Sequence, residues 1–192
     1  LFWMHSMEIH IKNMVCDRCL LAVHTVLRDL GIEAIEVRLG QVRLVHALSE
    51  NKHEALKVAL EKLGFALLED KKSQLMEQIK AVIIDLVQKQ NGGLQTNLSN
   101  YLSQKLHQDY NYISNMFSEA EGTTIEKYFI VQKIEKVKEL LEYGELSLGE
   151  IAFQMQYSSV AYLSNQFKKT TGMTTTTFKK QSHAKRTALD QL

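Results

Sequence analysis

The chain has 192 residues and a formal net charge of +1, so it is long enough for one large or two small domains and its total charge points to no partner. Its hydrophobic content of 45% is sufficient for a globular core, and no stretch approaches the roughly 20 apolar residues of a membrane span. Two cysteines are too few for a disulfide framework, and the first residues lack the basic lead and apolar length of a signal peptide, so we expect a cytoplasmic protein with no membrane partner.

The first seventy residues alternate between strand and helix patterns. Ile9 and Ile11 face one way and His10 and Lys12 the other, which predicts a half-buried strand. The predicted segments are, in order, a strand over 7–14, a helix ending at Gly31, strands over 33–39 and 42–48, a helix over about 51–63 and a strand over 65–69. The order βαββαβ is typical of the ferredoxin-like split unit, so we expect an α+β domain here.

A Cys-x-x-Cys motif stands where the first strand is predicted to run into the first helix. Cys16 and Cys19 are one helical turn apart at the start of that helix, where the positive end of the helix dipole favours thiolate. Two thiolates suit a soft ion and leave open positions for a third ligand. We therefore expect a metal site at these two residues, with Cu(I) or Zn(II) as the ion.

Residues 7–70 resemble the heavy-metal-associated domain of copper chaperones and metal-pumping ATPases. The resemblance rests on Met14-x-Cys16-x-x-Cys19, Val23, Leu27, Leu30-Gly31-Ile32 and Gly64-Phe65. It implies a ferredoxin-like fold that binds metal through the two cysteines. The sequence departs from the family at Asn13 and Val15, where glycine and a hydroxyl residue are usual. Two alternatives therefore stay open, a thiol redox pair and a cysteine pair that no longer binds metal.

Only Lys71 and Lys72 separate the last strand from a helix predicted to begin at Ser73. Apolar residues at helical spacing continue that helix to about Gln90, and Asn91-Gly92-Gly93 breaks it. The join contains no Gly/Ser-rich linker, so we expect the two domains to be closely coupled.

The following stretch predicts a first helix-turn-helix and a long helix. A short apolar-striped helix ends at a turn at His107-Gln108, and Asp109 caps a second helix that ends at Gly122. Thr123-x-x-Glu126 has the capping-box pattern, which predicts a helix from there to about Leu141. Eighteen residues of helix span roughly 27 Å, close to the roughly 34 Å of one DNA turn.

Residues 146–180 predict a second helix-turn-helix. Ser147 and Glu150 form another capping box, and a short turn follows at 156–158. Val160, Leu163 and Phe167 then recur at helical spacing. Such a pair of helices lays its second member in the major groove of DNA, and the alternative is a helical pair in some other bundle.

This part of the chain resembles the DNA-binding domain of AraC-type transcriptional regulators. The resemblance rests on Glu150-Ile151-Ala152, Tyr157-Ser158-Ser159, Leu163-Ser164-Asn165-Gln166-Phe167-Lys168-Lys169 and Gly172, and it covers residues 73–181. It implies an all-α domain over 73–185, in which one long helix joins two helix-turn-helix units. After the glycine the family usually has Thr-Pro or Ser-Pro, whereas this chain has Thr174-Thr175-Thr176-Thr177 and no proline. Because proline is favoured at the first helical position, we expect the last helix to start less firmly.

The resemblance also implies which residues contact DNA. On the first recognition helix these are Asn111, Tyr112, Ser114 and Asn115, and on the second they are Ser159, Val160, Ala161, Tyr162 and Asn165. Phosphate contacts are expected from Lys168, Lys169, Lys179 and Lys180. Asparagine pairs with adenine, and valine or alanine meets a thymine methyl group, while neither helix carries the arginine that reads guanine. We therefore expect A·T-rich targets.

The charge distribution agrees with this interpretation. Residues 151–192 contain six basic residues and one acid, Asp190. The basic residues are Lys168, Lys169, Lys179, Lys180, Lys185 and Arg186. Positive charge therefore gathers around the second helix-turn-helix, as phosphate contact requires.

The sequence as a whole predicts a sequence-specific, DNA-binding transcriptional regulator with an α+β ferredoxin-like domain over 7–70 and an all-α domain over 73–185. Its expected partners are double-stranded DNA and a soft metal ion, as a monomer or homodimer. The main alternative is a metal carrier whose helical half is a docking module. We see no nucleophile–base grouping, phosphate loop or paired carboxylates, so we do not expect an enzyme.

Overall fold

The computed structural model describes residues 7–94 and 96–187, with side chains described up to Gln181. Its strands and helices are β1 (Met7–Lys12), α1 (Asp17–Asp29), β2 (Ala34–Arg38), β3 (Gln41–Leu44), α2 (Glu50–Glu61), β4 (Ala66–Leu68), α3 (Lys71–Gln90), α4 (Leu98–Leu106), α5 (Tyr110–Glu121), α6 (Ile125–Tyr143), α7 (Leu148–Gln154), α8 (Val160–Thr171) and α9 (Thr175–Thr187). The fold is mixed, with a small N-terminal antiparallel sheet and a helical C-terminal region. Within the described residues, no helix is both long and apolar enough to cross a membrane.

Two compact units divide the chain. The first takes the described residues up to Val82 together with Leu102–Ala120, and the second takes Ile83–Tyr101 together with the residues from Glu121 onward. The first unit therefore contains the sheet, the first part of α3 and nearly all of α5. The domain limits 7–70 and 73–185 stay a prediction.

The four strands of the first unit form an antiparallel sheet in the order β2-β3-β1-β4. Ile9 lies opposite Val42 on β3, and Ile11 lies opposite Leu67 on β4. Alternation along β1 places Ile9 and Ile11 on the same face, where both are buried. Helices α1 and α2 contribute Val23, Leu27, Leu56 and Leu60 to this core.

The face of the sheet opposite to this core is covered by α3, although the sequence predicted that it would be exposed. His10 is only 6% exposed, and its Nδ1 lies 3.5 Å from the side-chain nitrogen of Gln78 on α3. Burial lowers the pKa of His10, although the neighbouring Glu8 acts to raise it. A methyl group at Gly40 would lie 3.5 Å from Cβ of Ala81, so α3 passes close to the β2–β3 turn. The expectation of a half-buried β1 was wrong at His10, because an element more than 60 residues away covers it.

The second unit is built around α6. Its core contains Val87, Ile134, Val137, Leu141, Ile151, Ala152, Met155, Tyr157, Leu163 and Phe167. The predicted capping box at Thr123 was wrong, because Thr124 is the residue that caps α6 and its hydroxyl accepts the backbone N–H of Lys127. The helix ends at Gly144, whose φ of +71° is in the left-handed region that glycine adopts without strain.

Two other helix starts differ from the sequence prediction in an informative way. Helix α3 begins at Lys71 rather than after Ser73, because Asp70 accepts the backbone N–H of Ser73 at 2.8 Å. Hydrogen bonds from Ser73 lower the pKa of Asp70. Helix α9 lacks a proline, yet the Thr174 hydroxyl accepts the backbone N–H of Thr177 at 3.1 Å. A threonine cap thus stabilises the first turn in its place.

Candidate nucleic-acid interface

The first helix-turn-helix comprises α4 and α5. Between them His107 has a φ of +53°, which turns the chain, and Asp109 accepts the backbone N–H of Tyr112 at 3.1 Å. Ile113 and Phe117 are fully buried and four residues apart, so one stripe of α5 faces the protein. The helix is thereby held with a defined opposite face.

The opposite face of α5 carries the residues that the sequence predicted to contact DNA. Asn111, Tyr112 and Asn115 are exposed, and Ser114 is partly buried. Tyr112 keeps 50% of its surface accessible although it is a large aromatic residue. The face therefore presents amide and hydroxyl groups, which are chemical types able to hydrogen-bond to base edges.

The second helix-turn-helix begins with the predicted capping box, which is confirmed. The Ser147 hydroxyl accepts the backbone N–H of Glu150 at 3.2 Å, and the Glu150 carboxylate accepts the backbone N–H of Ser147 at 2.7 Å. These hydrogen bonds lower the pKa of Glu150. The chain then turns at Gln156, which has a φ of +53°. Ser159 caps α8 by accepting the backbone N–H of Tyr162 at 3.1 Å.

Helix α8 also separates a buried stripe from an exposed one. Leu163 and Phe167 are fully buried. The expected base contacts Ser159, Val160, Ala161, Tyr162 and Asn165 are all exposed, with Val160 at 41% and Tyr162 at 53%. The Tyr162 ring lies 5.9 Å from that of Tyr157, so it packs on one side and stays accessible on the other. Helix α8 thus combines apolar and hydrogen-bonding groups on its outer face.

The expected phosphate contacts lie on two helices of the second unit. Lys168 and Lys169 are exposed in the last turn of α8, where they also complement the negative end of the helix dipole. On α9, Lys180 is exposed and Lys179 is partly buried. The Phe167 and Phe178 rings meet edge-on at 5.6 Å, which holds α9 against α8.

The two cysteines lie at the start of α1, as the spacing predicted. Their sulfur atoms are 3.4 Å apart, and Cys16 is exposed. The hydrogen bond with the Cys19 backbone is the largest cause that lowers the pKa of Cys16, with partial burial opposing it. The described residues contain no group of three or more His, Cys, Asp or Glu side chains that could hold a metal. Within that part of the chain, the two sulfur atoms are therefore not joined by further side chains of these types.

One contact beside the cysteines has no signal in the sequence. The backbone N–H of Asn13 donates to Oε2 of Glu77 on α3 at 3.3 Å, across 64 residues of chain. Glu77 is 9% exposed, although a glutamate in an amphipathic helix is ordinarily solvated. Only the packing of α3 on the sheet brings these residues together.

Comparison with known proteins gives the domain type. The family described as a helix-turn-helix domain matches residues 102–181. The C-terminal domain of AraT, a response regulator from Geobacillus stearothermophilus, is similar over 58% of this chain and 88% of its own, at 24% identity and a TM-score of 0.50. The C-terminal domain of the two-component response regulator yesN from Fusobacterium nucleatum subsp. nucleatum is similar over 52% and 96%, at 31% identity and a TM-score of 0.45. No curated protein sequence matches this chain. The family match supports a DNA-binding transcriptional regulator and leaves the N-terminal sheet outside it.

Proposed function

We propose that this chain, whose residues 102–181 are a helix-turn-helix domain of the AraC type, is a sequence-specific transcriptional regulator that binds double-stranded DNA through α5 and α8. The observation that carries the proposal is that both helices bury an apolar stripe and expose a polar one. On α5 the stripe is Ile113 and Phe117, and on α8 it is Leu163 and Phe167. A helix held in this way can enter the major groove with its exposed face while its buried face keeps its contacts with the protein.

The exposed side chains indicate which DNA bases the two helices recognise. Asn111, Asn115 and Asn165 can each pair with adenine, accepting through the side-chain oxygen and donating through the side-chain nitrogen. Val160 and Ala161 can contact thymine methyl groups. These types favour A·T-rich operators. Lys168, Lys169, Lys179 and Lys180 supply the contacts to phosphate that position the helices.

We also propose that the N-terminal sheet is a ferredoxin-like domain that binds a soft metal ion. The order β1-α1-β2-β3-α2-β4 and the sheet order β2-β3-β1-β4 support that fold. Cys16 and Cys19 would hold Cu(I) or Zn(II), supported by their 3.4 Å separation and the lowered pKa of Cys16. An ion bound there shifts operator affinity only if its affinity differs between the free and DNA-bound proteins.

Selection of bound duplexes from a random pool, with and without Cu(I) or Zn(II), tests both parts. The proposal expects enrichment of A·T-rich sites and an affinity that falls steeply with salt. Replacing Asn115 and Asn165 by alanine should abolish the enrichment, because each well-formed pairing with a base supplies about 1–3 kcal/mol of discrimination. Enrichment of G·C-rich sites would contradict the assignment of the base contacts.

The metal part has its own control. A Cys16→Ser, Cys19→Ser double variant should bind the enriched duplex as the wild type does, and should lose any response to the ions. A wild-type chain that binds the ions with no salt-dependent affinity for DNA would instead support a metal carrier, a role that the exposure of Cys16 also suits.

A further inference from the structure

Asn13 lies at the centre of three contacts beside the cysteines. Its φ of +72° is in the left-handed region, which asparagine adopts more readily than other non-glycine residues because its side chain forms local hydrogen bonds. Its side-chain amide donates to the Gly64 carbonyl at 2.9 Å, and its backbone N–H donates to Glu77 at 3.3 Å. Its carbonyl oxygen is 4.0 Å from the sulfur of Cys19. The same residue therefore contacts the Cys19 sulfur, the Gly64 carbonyl and the Glu77 carboxylate.

Glu77 has little freedom to absorb such a displacement. One of its carboxylate oxygens faces Asn13, and the other lies 3.2 Å from Nζ of Lys80. Its backbone also lies close to the β2–β3 turn, since a methyl group at Gly40 would lie 3.6 Å from the Glu77 carbonyl oxygen. The Glu77 side chain is nearly buried, so removing the hydrogen bond from Asn13 leaves an acceptor without full solvation. A movement of Asn13 would therefore displace α3 and not only the side chain of Glu77.

The first turn of α3 contacts the first recognition helix. Nζ of Lys72 lies 3.4 Å from the carboxylate of Glu119 on α5. The pair is exposed and by itself contributes little to stability. It does show that α5 borders the end of α3 that carries Glu77, and all of these residues belong to the first compact unit.

We propose that Glu77 is a positioning residue that couples occupancy of Cys16 and Cys19 by a soft ion to the placement of α5. This inference rests on the proposed function, and it names the route by which the metal site acts on DNA binding. Cys16 and Cys19 would hold the ion as thiolates, so Cys19 would lose the S–H that it directs at the Asn13 carbonyl oxygen. Through the Asn13–Glu77 hydrogen bond, this change at Cys19 shifts the position of α3. Helix α5 then moves with α3. By linkage, operator DNA must change the affinity for the ion by the same factor.

The test uses the full chain, Cu(I) delivered with a competing chelator, and the duplex enriched from the random pool. Affinity for the duplex is measured with and without Cu(I) in the wild type, Glu77→Met, Glu77→Gln and Glu61→Met. Methionine removes the acceptor at similar length, whereas glutamine keeps an amide oxygen that accepts from Asn13. Glu61 is an exposed carboxylate on α2 and is the matched control.

We expect Cu(I) to change the affinity of the wild type by about 5-fold or more, within the usual range of allosteric coupling. The change should persist in Glu77→Gln and Glu61→Met and fall below about 2-fold in Glu77→Met. If Glu77→Met keeps the full change, the inference is overturned and the proposed function stands. If the wild type fails to bind Cu(I) or the duplex, both are overturned.

Amide hydrogen exchange of the wild type gives a readout that needs no variant to fold. Cu(I) should change exchange in residues 13–19, in residues 74–82 of α3 and in α5. A change confined to residues 13–19 would overturn the inference even if DNA affinity responded to the ion.

Discussion

Nζ of Lys133 lies 4.2 Å from the centroid of the Tyr157 ring and 5.8 Å from that of Phe129. Lys133 is 9% exposed, and burial lowers its pKa to about 8. The Tyr157 hydroxyl is buried without a hydrogen-bond partner among the described residues, and burial raises its pKa to about 12. The ammonium group in the core of the second unit therefore lies against aromatic faces, an arrangement that offsets part of its desolvation.

This arrangement predicts a rise in stability with pH. Between pH 8 and 10.5, the ordinary pKa of lysine, the unfolded chain binds a proton at Lys133 that the folded chain does not bind. The free energy of unfolding should therefore increase through that window. Denaturant unfolding of wild type and Lys133→Met from pH 7 to 10 measures the difference, and Lys169→Met is the exposed control. Parallel curves for wild type and Lys133→Met would contradict the buried charge. Ionisation of Tyr157 in the unfolded chain opposes this rise from about pH 10 and reverses it above pH 10.5, because Tyr157 keeps its proton longer in the folded chain.

The two phenylalanines Phe153 and Phe167 provide a test of the core of the second unit. Phe167 is fully buried beside Phe178, whereas Phe153 is 86% exposed on α7. Phe167→Ala should lower the free energy of unfolding by about 3–5 kcal/mol, because it removes a packed ring and leaves a cavity. Phe153→Ala should change it by less than about 0.5 kcal/mol. Equal decreases for the two variants, measured by denaturant unfolding, would show that the α8–α9 packing is misassigned.

The capping box of α7 predicts a smaller decrease in stability. Ser147→Ala removes the acceptor for the backbone N–H of Glu150 and should cost about 1 kcal/mol of stability. Ser158→Ala is the control, since Ser158 is exposed in the turn before α8. Thermal unfolding of both variants makes the comparison. A Ser147→Ala melting temperature equal to that of wild type would mean that the cap is not formed in solution.

The lysines at the end of α8 predict a change in the salt dependence of DNA binding. Replacing Lys168 and Lys169 by glutamine removes two positive charges that face phosphate in the proposed complex. The slope of log affinity against log salt should therefore become shallower by about 0.9 for each phosphate that is no longer neutralised. Fluorescence anisotropy with the enriched duplex at several salt concentrations measures this slope. Lys62→Gln, an exposed position just after α2, should leave the slope unchanged. An unchanged slope in the double variant would remove these lysines from the interface.

Local pattern was sufficient for most element positions, because turn residues and apolar spacing act over a few residues. It failed where neighbouring residues offered the same chemistry. Thr123 and Thr124 are both competent caps, and only the path of the chain selects Thr124. Asp70 displaced Ser73 as the residue that starts α3 for the same reason, since either side chain can accept a backbone N–H.

The burial of polar side chains could not be predicted from local sequence patterns. His10 sits at an outward-facing strand position and Glu77 on a helix predicted from its apolar spacing alone, yet both are nearly buried because α3 lies over the sheet. Likewise, nothing near Lys133 in the sequence marks it as a core residue. Each depends on an element distant along the chain, and periodicity within one element carries no information about its neighbour.

The amino-acid sequence alone determined the alternation of strands and helices, the place of the two thiols at a helix start, and the polar outer faces of α5 and α8. All of these follow from interactions within a few residues, which propensity and capping express directly. Tertiary structure decided which charged groups are removed from water and which residues meet across the sheet, above all Asn13 and Glu77. Those contacts form only when distant segments are brought together by burial of their apolar faces, so no short stretch of sequence contains them.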